Sequence, residues 1–271
     1  MTTPSPLPTL FIPHGGGPCF FMDPPRGWPV DTWHGMEAYL RGLPATLGQQ
    51  PKAILVISAH WLTKRPTLNA APQPTLFYDY YGFPEHTYSL KYPAPGAPDL
   101  AGRVQDLLEE AGIATETQTE RGLDHGVFIP LMVSFPEARI PVLQLSLQEN
   151  QNAAEHLAIG RALAPLRGEG VLIIGSGMSY HNLSYFGPGP GDRIAEEFDT
   201  WLTETLTEVD ADERAIRLAN WEDAPSARGA HPTPEHLIPL MVAVGAAGNA
   251  PGTRDYNERV LGKAISGYRF G

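Results

Sequence analysis

The stretch KAILVISAH at residues 52–60 decides the fold class, because the residues between Lys52 and Ser58 are all apolar and rich in β-branched side chains. A continuous apolar run of this kind is typical of a strand that is buried on both faces of a sheet. Three other segments have the same character: TLFIPH at 9–14, IPVLQLSL at 140–147 and GVLIIGSG at 170–177. We therefore expect four strands of a largely covered sheet.

Helix-like segments separate these runs. They span residues 32–47, 98–111, 153–166, 192–209, 213–220 and 234–248. Strands that alternate with helices along a chain indicate an α/β fold in which helices cover both faces of a sheet. The composition shows no shift of the kind that marks a linker, so we treat residues 1–271 as a single domain.

The segment at 234–248 begins with a recognisable helix start. Thr233 can accept a hydrogen bond from a first-turn amide, and Pro234 brings a preset φ to the first helical position. We therefore expect Glu235 and His236 to lie in the first turn of this helix.

The composition limits the class of protein. Hydrophobic residues make up 42% of the 271 positions, which is sufficient for a sizeable core. The net charge of -11 and the scattered Lys and Arg residues argue against nucleic acid or an anionic membrane as a partner. Cys19 is the single cysteine, the N-terminus lacks signal-peptide features, and the apolar runs are too short to cross a bilayer. We expect a cytoplasmic protein without an intramolecular disulfide.

Histidines stand at the ends of the predicted strands. His14 ends the first strand, His60 ends the second, and His181 follows the strand at 170–177. Because ligands of open α/β sheets bind outside the carboxyl ends of the strands, these imidazoles are expected to meet at one edge, where His236 can join them. Two or three histidines with an open coordination position suit a catalytic iron or zinc ion, and one cysteine is too few for a structural thiolate site.

The sequence HGGG at 14–17 allows a second interpretation, because such a loop forms the oxyanion hole of some esterases. An esterase of that type also needs a nucleophile elbow G-x-S-x-G, and GMSYH at 177–181 is only a partial match. The zinc-protease signature HExxH does not occur in the sequence. We therefore favour a metal site in which the three glycines leave room for a ligand beside His14.

Other residues are weaker candidates. His125 in RGLDHG could donate or accept a proton near neutral pH, and a solvated turn histidine beside Asp124 is the alternative. His231 is close enough to His236 in sequence to support it from behind, and Cys19 is expected to be packed rather than nucleophilic. The remaining histidines, His34, His86 and His156, are expected to be structural.

The segment at 76–98 is crowded with aromatic residues. They are Tyr78, Tyr80, Tyr81, Phe83, Tyr88 and Tyr92. Aromatic surface of this kind can line a ring-binding pocket, form a subunit interface or simply pack, and the sequence leaves these alternatives open.

Seven segments taken together resemble a known family. They read PHGGGP, ISAHW, YGFPEHTYSLKYPAPG, RGLDHG, PVLQLSL, HNL and HPTPEHLIPL. In this order they are similar to the class III extradiol ring-cleaving dioxygenases, and most of all to the 4,5-DOPA dioxygenase branch. The resemblance covers nearly the whole chain. It implies one catalytic domain with a central mixed, mainly parallel sheet flanked by helices, and a non-haem Fe(II) centre that opens catechols beside the two hydroxyls.

The same resemblance implies roles for five histidines. His14, His60 and His236 match metal ligands of the family. His181 matches a residue at the metal that is either a further ligand or the base for a catechol proton. His125 matches a pocket histidine that contacts substrate or oxygen. His125 and His181 are therefore the expected catalytic residues.

The third ligand and the identity of the metal remain open at this stage. Protocatechuate-cleaving relatives use a glutamate as third ligand, so Glu235 is the alternative to His236, and zinc often occupies such sites in place of iron. The implied partners are a small catechol and O2, and an oligomer is possible. A zinc hydrolase and a non-enzymatic metal-binding protein on the same fold are the rival functions. Cations that could pair with a substrate carboxylate are Arg26, Lys91, Arg121 and Arg228.

Overall fold

The computed structural model describes residues 5–187, 189 and 191–271, and in this part of the chain eight strands form one sheet. The strands are β1 (Thr9–Pro13), β2 (Ala53–Thr63), β3 (Thr67–Asn69), β4 (Glu116–Gln118), β5 (Val142–Gln148), β6 (Val171–Gly177), β7 (Gly252–Val260) and β8 (Lys263–Phe270). The four strands that the apolar runs predict are confirmed as β1, β2, β5 and β6.

The order of the strands across the sheet is β4-β3-β5-β2-β6-β1-β8-β7. The four predicted strands lie side by side at the centre and pair in parallel. β8 pairs antiparallel with β1, β7 with β8, and β3 with β5, whereas β4 runs parallel to β3. The fold is therefore α/β with a mixed, mainly parallel sheet, as expected.

The described residues also form eight α-helices. They are α1 (His34–Thr46), α2 (Pro98–Glu110), α3 (His125–Ser134), α4 (Ala153–Leu163), α5 (Gly191–Thr207), α6 (Ala211–Ala219), α7 (Ala227–Ala230) and α8 (Ile238–Ala247). Six of them correspond to the predicted segments, and α3 and α7 are additional. Every residue of β1 and β6 is buried, so both faces of the sheet centre are covered. α8 packs on these two strands and against α4.

The predicted start of the last helix is wrong. α8 begins at Ile238, and Glu235 and His236 lie in the turn that precedes it. Pro239 takes a first-turn position of α8, where its missing N–H costs no hydrogen bond, so it sets the helix start in place of Pro234. The Thr233 hydroxyl donates to the Glu235 carboxylate at 3.1 Å instead of capping the helix.

His236 therefore lies outside regular secondary structure, and a backbone hydrogen bond fixes its position instead. Its carbonyl accepts a hydrogen bond from the backbone N–H of Met178, just beyond β6, at 3.0 Å. This bond ties the turn before α8 to the carboxyl end of the central sheet. None of the helices in the described part of the chain combines the length and apolar character that a bilayer-spanning segment needs.

Candidate metal centre

Five histidines from separate parts of the chain reach the carboxyl edge of the sheet. His14 follows β1, His60 lies near the end of β2, His125 begins α3, His181 follows β6, and His236 precedes α8. The register of β2 against β5 shifts between Ile57 and Leu62, so His60 stands in an irregular stretch of its strand. The convergence expected from the strand ends is thus present in the structure.

His14, His60 and His236 form a group of three imidazoles, which we call the three-histidine cluster. Each residue offers one ring nitrogen, and these nitrogens all lie within 4.8 Å of one another. The Nε2 atoms of His14 and His60 are 3.0 Å apart. The ring centroid of His236 lies 5.3 Å from that of His14 and 4.9 Å from that of His60. This spacing is compatible with one shared metal ion.

Hydrogen bonding at Ser176 fixes which nitrogen of His14 carries the proton. The Ser176 hydroxyl donates its one hydrogen to the Gly126 carbonyl, so it can only accept from His14 Nδ1, which lies 3.1 Å away. His14 is therefore protonated on Nδ1 and presents a lone pair on Nε2. That lone pair points toward Nε2 of His60, an arrangement that a cation between them would stabilise.

Glu235 performs a similar function for His236. Its carboxylate lies 3.0 Å from His236 Nδ1, so this nitrogen donates and Nε2 is left with a lone pair. The same carboxylate lies 3.7 Å from Nδ1 of His181. The rings of His181 and His236 stack at 3.4 Å with an interplanar angle of 15°. His181 therefore groups with Glu235 and His236, adjacent to the three-histidine cluster.

Asp79 links His60 to His125. One carboxylate oxygen accepts from both the backbone N–H and Nδ1 of His125, each at 2.9 Å. The other oxygen lies 3.7 Å from Nδ1 of His60. Burial works to raise the pKa of Asp79, but the hydrogen bonds and charge of His125 outweigh it, and the pKa is lowered. Asp79 is thus ionised and holds His125 as the Nδ1–H tautomer with a free Nε2.

Burial keeps the clustered imidazoles neutral. It lowers the pKa of His14 and His236 well below the ordinary value, and the neighbouring histidines lower both further. Burial, reinforced by His125, lowers the pKa of His60 to about 3. The pKa of His181 is also lowered by burial. All four side chains therefore carry available lone pairs near pH 7, which is the state in which imidazole binds a metal or accepts a proton.

A cavity of about 430 Å³ opens above the histidines. Its inner end, the cavity floor, consists of His14, His60, His125, His181 and His236. Five partly or fully exposed lining residues form its solvent side, which we call the cavity mouth: Met22, Pro24, Pro25, Trp28 and Leu183. The other lining residues are Gly15, Gly16, Gly17, Cys19, Trp33 and Phe83. The room that the glycines were expected to leave beside His14 is therefore present.

Two glycines allow close packing around this cavity. Gly17 has φ +56°, and a Cβ there would lie 2.9 Å from the ring of Phe83, which lines the cavity. A Cβ on Gly126 would lie 2.6 Å from Ser58 Oγ and 3.0 Å from the ring of His60. Gly126 therefore lets the first turn of α3 approach β2, and the rings of His60 and His125 come to 3.9 Å.

The other sequence candidates lie outside the cluster. His231 is fully buried and contacts the Ser179 carbonyl through Nε2 at 3.0 Å. Cys19 is packed, and burial raises the pKa of its thiol. The histidines expected to be structural are remote: His34 is exposed, His86 contacts the Phe21 carbonyl, and His156 accepts from the backbone of Gln148.

The aromatic segment divides into two parts. Phe83 lines the cavity, whereas Tyr78, Tyr80 and Tyr88 pack on one another. Tyr78 and Tyr80 also contact Phe128 of α3. Most of this segment is thus packing around α3, and one ring belongs to the cavity.

Sequence reasoning missed the groups that orient the histidines. Asp79 and Ser176 lie within a loop and a strand, respectively, where nothing in the local sequence marks them. Asp124, next to His125, is fully buried, accepts from Ser58 at 2.6 Å and bonds Gln144. Burial raises the pKa of Asp124, and the nearby Asp79 adds to this effect. Asp124 is therefore part of a buried network beneath His125, and the solvated-turn alternative for this region is wrong.

Comparison with known proteins shows the family of the chain. The family described as "Catalytic LigB subunit of aromatic ring-opening dioxygenase" matches residues 8–269. The "4,5-DOPA dioxygenase extradiol" of Beta vulgaris is 48% identical over 205 residues, which cover 74% of this chain and 75% of that protein. The protein of the same name from Mirabilis jalapa is 40% identical over 225 residues, which cover 81% and 82%.

A solved structure extends the likeness to the fold. The crystal structure of an uncharacterized protein from Escherichia coli K12 matches with a TM-score of 0.73 and 31% sequence identity, covering 98% of this chain and 100% of that one. Fold and site thus define a ring-cleaving dioxygenase. The chain belongs to the LigB family of aromatic ring-opening dioxygenases and is an extradiol dioxygenase, an oxidoreductase.

Proposed function

We propose that the protein opens the ring of a small catechol with O2, using a ferrous ion held by His14, His60 and His236. The observation that carries this proposal is the three-histidine cluster, in which separate hydrogen bonds leave lone pairs on the Nε2 atoms of His14 and His236. When bound, ferrous iron supplies the exchange of electrons between catechol and O2, which zinc, although it suits the same ligands, cannot supply.

The donor set fits such an ion. His14, His60 and His236 would hold the ion at the inner end of the cavity that they line, where a catechol could reach it. Glu235 contacts Nδ1 of His236, on the far side of that ring from Nε2, so we assign the third ligand to His236 and an orienting role to Glu235. Holding both reactants at one centre converts an encounter of separate molecules into a reaction within one complex.

His181 is assigned as the base for a catechol proton. It lines the cavity beside His236, and its Nδ1 lies 3.7 Å from the Glu235 carboxylate, so we assign Nε2 as the proton acceptor. Burial lowers its pKa, so the ring is neutral near pH 7 and able to accept. Proton transfer to Nε2 places a positive charge next to the Glu235 carboxylate, which stabilises it.

His125 is assigned to the opposite side of the substrate. Asp79 holds the proton of its Nδ1, and Nε2 is therefore the atom that can accept a hydrogen bond from the substrate or hold a transferred proton. The ring lies 5.4 Å from that of His14 and 3.9 Å from that of His60. The two catalytic assignments, His125 and His181, thus flank the proposed ligands.

The test is oxygen uptake by protein loaded with Fe(II) under anaerobic conditions and then mixed with catechol in air. We expect stoichiometric O2 consumption and a yellow ring-opened product, with neither in zinc-loaded protein. Inertness of the iron-loaded protein toward every catechol offered would overturn the proposal. Ester or amide hydrolysis by the zinc-loaded protein would favour the rival metal-hydroxide chemistry instead.

A further inference from the structure

Among the three proposed ligands, His60 differs in how its ring is held. In His14 and His236, a hydrogen bond at Nδ1 orients the imidazole. Nδ1 of His60 lies 3.7 Å from the Asp79 carboxylate, which is beyond hydrogen-bonding distance. The direction of the His60 imidazole therefore depends mainly on where its backbone lies.

The backbone of His60 stands where the ladder of the sheet is interrupted. In the described chain, β2 pairs with β6 as far as Ser58. The pairing of β2 with β5 stops at Ile57 and resumes at Leu62. Because buried backbone polar groups are costly to leave unpaired, the N–H and C=O of His60 need partners from elsewhere.

Side chains supply both partners. The Ser58 hydroxyl accepts from the His60 N–H at 3.2 Å, and the Arg121 guanidinium donates to the His60 carbonyl at 2.9 Å. The guanidinium carbon of Arg121 lies 5.2 Å from the ring centroid of Trp61 and 4.7 Å from that of Phe77. The backbone of His60 is thus held at its N–H and at its carbonyl by two separate side chains.

Arg121 is one of the four cations that the sequence offers as partners for a substrate carboxylate. In residues 5–187, 189 and 191–271 none of the four lines the cavity: Arg26 and Lys91 are exposed, and Arg228 pairs with Glu222 at 2.7 Å. The contacts of Arg121 with the His60 carbonyl give it a role in the cavity floor instead.

Both side chains that hold His60 lead to Asp124, which is fully buried. Ser58 donates its hydroxyl hydrogen to one carboxylate oxygen at 2.6 Å. The other oxygen lies 3.5 Å from Arg121 and also accepts from Gln144 of β5. One carboxylate therefore connects the two groups that hold the His60 backbone and anchors them to a central strand.

The place of Asp124 in the chain would normally give it another role. It stands at the N-cap of α3, where an aspartate usually accepts from the first amides of its own helix. In the described chain its side chain makes no such bond and is directed toward β2 instead. Gly126 permits this approach, because a Cβ there would lie 3.2 Å from the Asp124 carboxylate and 2.6 Å from Ser58 Oγ. The carboxylate thus serves β2 rather than its own helix.

We propose that Asp124 is a positioning residue for the metal centre, which fixes the backbone of His60 through Ser58 and Arg121 so that the imidazole reaches the shared ion. This inference rests on the proposed function, since it presumes that His60 is a ligand. Asp124 itself contacts neither the metal nor the substrate.

The affinity of metal-free protein for Co(II), a divalent ion with visible absorption, measures this role apart from turnover. D124N keeps an oxygen that can accept from Ser58, but it presents amide hydrogens where Arg121 and Gln144 meet an acceptor. For variant protein that is folded by circular dichroism, we expect the Kd for Co(II) to rise about tenfold or more. The absorption of the bound ion should also change, since the imidazole of His60 is displaced from it.

A matched pair of serine variants separates positioning from folding. S58A removes both the acceptor for the His60 N–H and the donor to Asp124. S266A removes a buried bond of the same kind on β8, from Ser266 to Asp199 at 2.5 Å, outside the cavity lining. Urea denaturation should show a loss of stability in both variants, whereas the Kd for Co(II) should rise about tenfold in S58A alone.

The outcomes distinguish this inference from the function on which it rests. An unchanged Kd and spectrum in folded D124N would overturn the inference and leave the proposed function intact, and so would a Kd in S266A raised as much as in S58A. If D124N does not fold, the comparison of S58A with S266A decides. Failure of the unmodified protein to bind one equivalent of Co(II) would overturn the proposed function, and this inference with it.

Discussion

The cavity floor is oriented by hydrogen bonds between buried groups, whereas the cavity mouth consists of partly exposed residues on connecting segments. At the floor, His14 is held by Ser176 of β6, and His125 by Asp79. At the mouth, Met22, Trp28 and Leu183 present apolar surface from connecting segments. The difference shows that one set of residues can determine the reaction while another set determines the choice of substrate. Imidazoles oriented by hydrogen bonds determine the chemistry, and the apolar connecting segments determine what the chemistry acts on.

The largest expected effect is loss of a proposed ligand from the floor. H60A removes one of the three nitrogens within 4.8 Å, so we expect bound iron to fall and ring opening to decrease by more than about 100-fold. Metal analysis and oxygen uptake measure the two effects. H34A is the matched control, because His34 is exposed and outside the cluster. Full iron content and activity in H60A would remove His60 from the proposed centre.

The next largest loss of activity is expected at Asp79, which orients His125 and is not among the proposed metal ligands. D79N keeps the shape of Asp79 but removes the charge that holds Nδ1–H of His125. We expect kcat to fall by about 10–100-fold while iron content stays close to that of the unmodified protein. D99N, in the exposed first turn of α2, should change neither. Loss of iron in D79N together with activity would instead assign Asp79 to the metal site.

A smaller loss of activity is expected when the cavity mouth is altered, and the size of this loss should depend on the substrate. W28A removes an apolar wall of the cavity, so kcat/KM for 4-propylcatechol should fall by about tenfold, whereas that for unsubstituted catechol should change far less. Steady-state kinetics with both compounds measure the contrast. An equal loss for the two would show that Trp28 supports the floor, and the separation of tasks would be wrong.

The last prediction concerns stability rather than activity, as a change with pH in metal-free protein. Burial lowers the folded-state pKa of His60 and His231 to about 3, whereas an unfolded histidine titrates near 6.5. Between these values the unfolded chain binds more protons, so the stability is present above about pH 6.5 and is lost as the pH falls toward 3. Each such group contributes a slope of up to about 1.4 kcal/mol per pH unit.

Urea denaturation between pH 7.5 and 4.5 measures this slope. H60Q should flatten it, since the variant removes one group that is buried in the neutral form. H34Q should leave it unchanged, because His34 is exposed and contributes no burial of a neutral ring. A stability of metal-free protein that does not vary across this range would contradict the burial argument for the floor.

Much of the centre of the sheet could be predicted from sequence, and its edges could not. β1, β2, β5 and β6 are continuous apolar runs because both of their faces are buried. β7, with the sequence GTRDYNERV, is an edge strand with only two buried residues, so its charged residues resemble those of a loop. β3 and β4 have three residues each, too few for any periodicity to appear. α3 is buried almost all round and therefore has no amphipathic pattern to detect.

The candidate site also has a part that the sequence predicts and a part that it does not. His14, His60 and His181 were expected to meet because the strand ends that carry them are readable from the sequence, and the structure brings them to one edge. The position of His236 depended on which of two prolines starts α8. Asp79 and Ser176 could not be found, because their role arises from contacts across 46 and 162 positions of the chain.

The sequence by itself determined the central parallel strands, the chemistry of an imidazole-rich site and the resemblance to extradiol dioxygenases, since these depend on local hydrophobicity, residue type and motif order. The tertiary structure decided the tautomers of the histidines, the place of His236 beside His14 and His60, and the apolar, cation-free lining of the described cavity. Those properties are set by which groups from distant segments approach within hydrogen-bonding or van der Waals distance, and that is a property of packing.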